Sequence, residues 1–539
     1  MPQPLHRIMK RRESFVKRSL SLLLAVSSVA LMAHAASAAT IDRNAKIVIG
    51  WAEPPDSLNP ATTGARDVGP LDVNLFNTLV WVTPQFKVTP DLATSWKVSP
   101  DGKTLTLQLR HDVTFTDGTK FDAAAVVANI NYITDPKTQS KSALGLLGPC
   151  KAATATGPYT VELSCTAPYA PLLAHLGEPY LGMQSPTAIT KWGKDLGLHP
   201  TGTGPFKFVS YKPNQSLVIA RNDAYHWGPA ATGHSGPPDI AQITYDIVTN
   251  SQARINQFQS GQSVMMQETP GVFWNALKAG GRFNAVPVPI SGMGIFAPIN
   301  ASLWPTNDLA VRKAIMYAVD KNGVSKLADA GAHPISNTPL EKGMTAYDSS
   351  LEHMYSYDPA KAAALLKADG WSKTGKFWEK DGKPLTIKLT AIATVPEYPL
   401  LAQAIQGYLL KFGMDATVQQ LAVPAWLAAN IKGQINMTQM QFVDDDPDAL
   451  HFWFLPGQYF NWSHYTNPEL TKLLTEGQRV TDPTKRIAIY KAAQKIIMDQ
   501  AIEMPLHQNI DLVMTSKKLT SLTWEGGGFE YFGAAAIAK

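Results

Sequence analysis

Between Leu385 and Val443 the chain follows two periods in turn, and that alternation narrows the fold more than any other feature. Leu385, Ile387 and Leu389 alternate with polar residues, the period of a half-buried strand. Leu400 to Leu410 follow with helical spacing, stopped at Gly413. Ala416 to Leu421 and then Asn436 to Val443 return as strands. Strand, helix and strand in this order build a sheet with helices on its faces. Similar signals recur elsewhere. Ile47-Val48-Ile49 is a continuous apolar run, as in a strand covered on both sides. Leu105, Leu107 and Leu109 alternate after the turn Asp101-Gly102. Phe206 and Phe208, then Leu217 and Ile219, flank Lys212-Pro213-Asn214 as a hairpin. Asp358-Pro359, Asn467-Pro468 and Asp482-Pro483 each set a helix cap followed by Pro at the first helical position. Asp308 caps a helix from Leu309 to Asp320, and Ile487, Tyr490 and Ile497 share one helical face that reads as core. The expected class is α/β, with mixed sheets. At 539 residues the chain is long enough for two or three domains. Gly and Pro are scattered, with no repeat and no linker, so two lobes joined by crossing segments fit better than beads on a string.

The first 39 residues read as an export signal. They hold six of the basic residues and one acid, so the whole formal charge of +5 belongs to them. What remains is balanced, which gives no basic surface for nucleic acid. The apolar stretch Leu20 to Met32 is too short to cross the roughly 30 Å hydrocarbon core as a helix. Ala33-His34-Ala35 and Ala36-Ser37-Ala38 offer small-x-small cleavage sites. Arg11-Arg12 resembles a twin-arginine signal, but Phe15 lies one place too far along, which favours ordinary secretion. No Cys stands near the cleavage site to carry a lipid, so an unanchored receptor would need an outer membrane to confine it. The expected location is a bacterial periplasm. Cys150 and Cys165, separated by a turn-like stretch and the alternating segment Tyr159 to Leu163, are expected to pair as a disulfide in that oxidising compartment.

Catalytic signatures are missing. The sequence has no HExxH, GxSxG, P-loop or CxxC. Its 12 His are dispersed, and His451 and His464 lack partners at ligand spacing, so neither cofactor nor metal is expected. The conspicuous cluster is Asp444-Asp445-Asp446-Pro447-Asp448. Pro447 makes it a loop. Three readings stay open: a solvated acidic turn, a cation site without the Gly and distal Glu of the known calcium loop, or an anchor for a cationic ligand group in a closed cleft. Trp426, Phe442, Trp453, Tyr459, Phe460 and Trp462 crowd nearby, mostly as core.

The body resembles the family 5 extracytoplasmic solute-binding proteins, the peptide- and nickel-type receptors of ABC importers. The matching stretches are Glu53-Pro-Pro-Asp-Ser-Leu-Asn-Pro60, Leu92 to Gly102, Leu107 to Gly118, Gly202-Thr-Gly-Pro-Phe-Lys-Phe208, Arg221-Asn222, Val311 to Asp320 and Tyr490 to Gln494. They cover residues 46 to 515 in family order. The resemblance implies a two-lobed type II periplasmic binding fold closing around a hinge. Residues 40–289 would form lobe one, as two subdomains, and 290–504 lobe two, with 505–539 returning to lobe one. It also implies that Asp445, or Asp444 in its place, pairs with a peptide's amino terminus and that Trp426 heads the preceding helix. Asn59 and Trp453 complete the candidate ligand set. Leu400 and Leu401 stand where dipeptide-type members carry Arg, so a plain dipeptide is disfavoured.

The expected function is therefore a monomeric periplasmic receptor that captures a peptide-like solute and delivers it to an ABC importer permease in the inner membrane. A receptor for a metal chelate, opine or oligosaccharide is the alternative within that class. A secreted hydrolase would need an acid and a base facing each other across the substrate, which adjacent acids on one short loop do not supply. A chaperone or adhesin-like second role is the third class.

Overall fold

The computed structural model describes residues 40–395 and 397–539, so the export signal expected over 1–39 lies outside the described residues. The larger sheet has seven strands. Its order is Phe283–Pro289, Ile510–Ser516, Met265–Met266, Lys46–Trp51, Gln242–Ile247, Ser216–Arg221 and Phe206–Lys212. Lys46–Trp51 runs parallel to both its neighbours, and the other pairings are antiparallel. Its central place explains the unbroken apolar run at Ile47 to Ile49. The hairpin between Phe206–Lys212 and Ser216–Arg221 turns at Asn214, whose φ of 56° lies in the left-handed region that Asn tolerates. A separate antiparallel sheet orders Ala93–Val98, Thr104–Leu109, Thr160–Ser164 and Ala152–Gly157. The bond between Cys150 and Cys165 closes the last hairpin, as expected. These two sheets pack on separate apolar clusters.

Besides a small antiparallel meander of Ser372–Thr374, Phe377–Lys380 and Lys383–Pro384, the second lobe carries two three-stranded sheets. Thr386–Ile392 lies between Asp415–Leu421 and Met437–Thr438, parallel to both, with the helix Glu397–Phe412 as the crossover. The βαβ reading of this stretch holds. Met293–Pro298 lies between Met440–Phe442 and Glu503–His507. One expectation needs correcting here. Asn436 to Val443 is not one strand, because Met437–Thr438 belongs to the first of these sheets and Met440–Phe442 to the second. Gln439, fully buried, marks the switch. The helix expected over Leu309 to Asp320 stops at Ala318, and Asp320 caps the next one, Lys321–Asp329. Asp308, Asp358, Asn467 and Asp482 cap their helices as read from the sequence, each accepting a backbone N–H at 2.8–2.9 Å.

The lobes are separable by their cores. One apolar cluster draws only on residues between Met293 and Leu506, and the clusters of lobe one take no buried residue from that span, with only the half-buried Ala332 packing against one of them. The chain crosses between lobes near Ile290 and again near Asn509. The second crossing comes just after the strand Glu503–His507, which runs through the boundary expected at 504. Ile290 N donates to Asn509 O at 2.8 Å, and Asn509 Nδ2 donates to Ser291 O at 3.0 Å, tying the crossings together. Away from them the lobes touch: Ala170 N donates to Gln478 O at 2.9 Å, and Asn275 Nδ2 to Ala330 O at 3.0 Å. Among the described residues no helix is long and apolar enough to cross a membrane.

Candidate functional site

The strand Met440–Phe442 delivers the aspartate loop to the seam between the lobes. Its four carboxylates are all buried, contrary to what a solvated turn would give. The loop folds as a ladder of side-chain turns. Asp444 Oδ1 accepts from Asp446 N at 2.9 Å, and Asp446 Oδ1 accepts from Asp448 N at 2.8 Å. Two of the acids have partners within lobe two. Arg486 grips Asp446 with both terminal nitrogens, at 2.7 and 2.5 Å. Burial alone would raise Asp446, but Arg486 holds it below the ordinary carboxylate value. Asp448 accepts from Tyr490 Oη at 2.8 Å and Gln478 Nε2 at 2.9 Å. Burial and the Asp446 charge push it up to about 7.

The other two acids face lobe one. His175 Nε2 lies 3.3 Å from Asp444 Oδ1, while His175 Nδ1 lies 3.0 Å from the carbonyl of Leu146. Both ring nitrogens thus face acceptors, an arrangement that suits an imidazolium. Burial disfavours that charge, yet Asp444 outweighs it and lifts His175 to about 10. Asp445 is different. Neither of its oxygens has a hydrogen-bond partner among the described residues, although the residue is only 6% exposed. Around it stand Ser291 at the hinge, Glu178 of lobe one and Glu525 of the C-terminal segment. Burial, moderated by Ser291 and reinforced by Asp444, raises Asp445 to about 6. Burial and the Asp445 charge raise Glu178 and Glu525 well above the usual range. The approach is close because Gly526 has no side chain. A Cβ there would lie 2.5 Å from Val82 Cγ1 and 3.0 Å from Asp445 Oδ1.

Four acids and one histidine meet in this closed seam; with His175 balancing Asp444 and with Glu178 and Glu525 held protonated by burial, Asp445 carries the uncompensated charge, and the enclosure suits a positive group with hydrogen-bond donors. Of the sequence candidates, Asp444 and Asp445 lie in it. Trp426 and Trp453 do not reach it by any contact described. Trp426 donates to Thr438 Oγ1 at 2.7 Å and packs edge-on against Trp462. Trp453 is fully buried between Phe296 and Phe460. Both are core side chains of lobe two, for which aromatic packing is sufficient reason. Asn59 is spent within lobe one, donating to Tyr132 Oη at 2.8 Å and accepting from Gln184 Nε2 at 3.1 Å. His175, Glu178 and Glu525 carried no signal in sequence, since each is an isolated residue brought in by tertiary folding. The same is true of Asp329, His333, Glu397 and His507, which converge although no metal-binding spacing links them.

Comparison with known proteins gives this geometry its context. Residues 87–462 match the model for the bacterial extracellular solute-binding proteins, family 5. The glutathione-binding protein GsiB of Shigella flexneri is 27% identical over 464 residues, covering 83% of this chain and 86% of its own. The crystal structure of NikA from Brucella suis in complex with Fe(III)-EDTA superposes with a TM-score of 0.83 at 27% identity, over 92% of this chain and 100% of that one. The oligopeptide-binding protein AppA of Bacillus subtilis, solved with a nonapeptide, gives a TM-score of 0.74 at 18% identity, over 93% and 100%, and so shares the fold.

Proposed function

The chain belongs to the bacterial extracellular solute-binding proteins of family 5, and on that footing we propose that it closes its lobes over a small peptide-like solute and grips the solute's ammonium group with Asp445. It is a binding protein of a transport system, not an enzyme. The observation that carries the reading is the Asp445 carboxylate, buried at the lobe seam without a partner among the described residues and flanked by Glu178 and Glu525. An ammonium supplies the charge and donors this enclosure needs, and in a water-poor seam the attraction is much stronger than on an open surface. Because Asp445 and Glu525 come from different lobes, such a ligand engages both only when they shut, which selects the closed form. The closed form is then what the importer's permease recognises. Removal of residues 1–39 and residence in the periplasm as a monomer belong to the same proposal.

A polycarboxylate chelate would bring negative charge against Asp445 and offer it no donor, so this carboxylate favours an amine-bearing solute over it. Calorimetric titration with a library of two- to five-residue peptides and their N-acetylated counterparts tests this. Free-amine peptides should bind and acetylated ones should not. Asp445→Asn should weaken binding by roughly tenfold or more, the scale of a lost buried charge pair. Equal binding of acetylated peptides, or no binding by any free-amine peptide, would refute the anchor. Native mass spectrometry of the purified protein would identify a retained solute directly.

A further inference from the structure

Asp329, His333, Glu397 and His507 each direct one donor atom into a common space, all within 4.8 Å of one another. They come from three places. Asp329 ends the helix Lys321–Asp329, and His333 follows after a left-handed pair, Ala330 at φ 59° and Gly331 at φ 70°. Glu397 opens the helix Glu397–Phe412, and His507 ends the strand Glu503–His507 just before the hinge crossing. The turn folds His333 back so that Asp329 Oδ2 faces both its backbone N–H, at 3.0 Å, and its Nδ1, at 2.5 Å. His507 Nδ1 lies 3.1 Å from Glu397 Oε1, and His333 Nδ1 lies 4.0 Å from the same oxygen. The two imidazoles are parallel, 5.5 Å apart with planes 8° from each other.

We propose that these four side chains form a binding site for a divalent transition-metal ion, of which Zn²⁺ and Ni²⁺ are the best matched. Ligands at metal distances of about 2.0–2.1 Å in a tetrahedron stand roughly 3.4 Å apart, and the separations here bracket that edge. Two imidazoles with two carboxylates suit borderline metals and not Ca²⁺ or Mg²⁺, which take oxygen alone. The two carboxylate charges match the ion's. The ion pairs described for the four residues are only with one another, so no Lys or Arg among the described residues already takes the cation's place. The ligands are also held in position. Asp329 accepts from Ser325 Oγ at 3.2 Å and from Gly331 N at 3.1 Å, and His507 sits in a strand paired with Ile295. His507 and Asp329 are buried, whereas the Glu397 side chain is 26% exposed and gives the ion a route in. This site shares no residue with the Asp445 enclosure, and its test does not depend on the solute assigned there. Bound metal would join two helices of lobe two to the strand that ends just before the hinge crossing.

The test uses the mature protein without an affinity tag, stripped with a chelator and dialysed, then titrated with ZnCl₂ and separately with NiCl₂. One ion per chain is expected, with Co²⁺ giving the visible bands of four-coordinate cobalt. His333→Gln and Glu397→Gln, at the more open side of the site, should each weaken binding by about tenfold or more and abolish the cobalt bands. His353→Gln, at an exposed histidine outside the group, should leave both unchanged. His507→Gln is measured only alongside a melting curve, since that side chain is buried. No stoichiometric binding, binding unchanged in His333→Gln and Glu397→Gln, or binding only when the metal is presented as a small-molecule chelate would each overturn the proposal.

Discussion

Asp445 sets an electrostatic cost on closing the lobes without a ligand, and the cost can be worked out. An open form that lets water reach the carboxylate would return it to the ordinary 3.8; in the closed seam it is raised to about 6. That difference of roughly two units corresponds to about 3 kcal/mol, or a factor of about 100 in the closed-to-open ratio. The penalty belongs to the charged form. It is present in full above pH 6 and fades as pH falls toward 3.8. Between pH 7.5 and 5 the closed-to-open ratio of ligand-free protein should rise about tenfold from Asp445 alone. Glu178 and Glu525, raised by the same burial, add in the same direction. Asp445→Asn removes the charge but keeps the shape. It should shift the ligand-free protein toward the closed form at pH 7.5 and flatten the pH dependence. Small-angle X-ray scattering reads both as a decrease in radius of gyration. A radius that stays constant from pH 7.5 to 5, or an Asp445→Asn protein more open than the original at pH 7.5, would show that the carboxylate does not govern closure.

Two further outcomes are expected. Arg486→Met leaves Asp446 buried without its counter-charge, which should cost about 3–5 kcal/mol in denaturant unfolding, while Arg486→Met combined with Asp446→Leu recovers most of the loss. Cys150→Ser with Cys165→Ser opens a loop of 15 residues and should lower stability by about 3 kcal/mol, with the reductant dependence of the unfolding midpoint disappearing.

Local chemistry was the readable part of this sequence. An Asp or Asn before Pro stops one helix donor from being orphaned, and Asp358, Asn467 and Asp482 cap as their neighbours dictate. The βαβ unit at Thr386–Leu421 was equally legible, because periodicity is a property of the segment itself. The aspartate loop announced itself by composition, but its division of labour did not. Whether an acid faces Arg486, His175 or nothing depends on which side of the ladder it occupies, and that is fixed only once the strand ends at Phe442. Trp426 and Trp453 show the opposite case: an aromatic beside an acid in sequence packs wherever the core has room. Residues such as Glu178 and Glu525 become neighbours of Asp445 only through tertiary folding, so no window of sequence contains the signal.

The strand Ile510–Ser516 sits inside the seven-stranded sheet, next to the edge strand Phe283–Pro289, and Asn74 reaches over to the carbonyl of Glu530 at 2.8 Å. The half of the molecule that is made first therefore lacks an interior strand until nearly the whole polypeptide has been synthesised. Premature compaction of the emerging chain is discouraged by topology alone, so this half closes its sheet only when the C-terminal segment arrives.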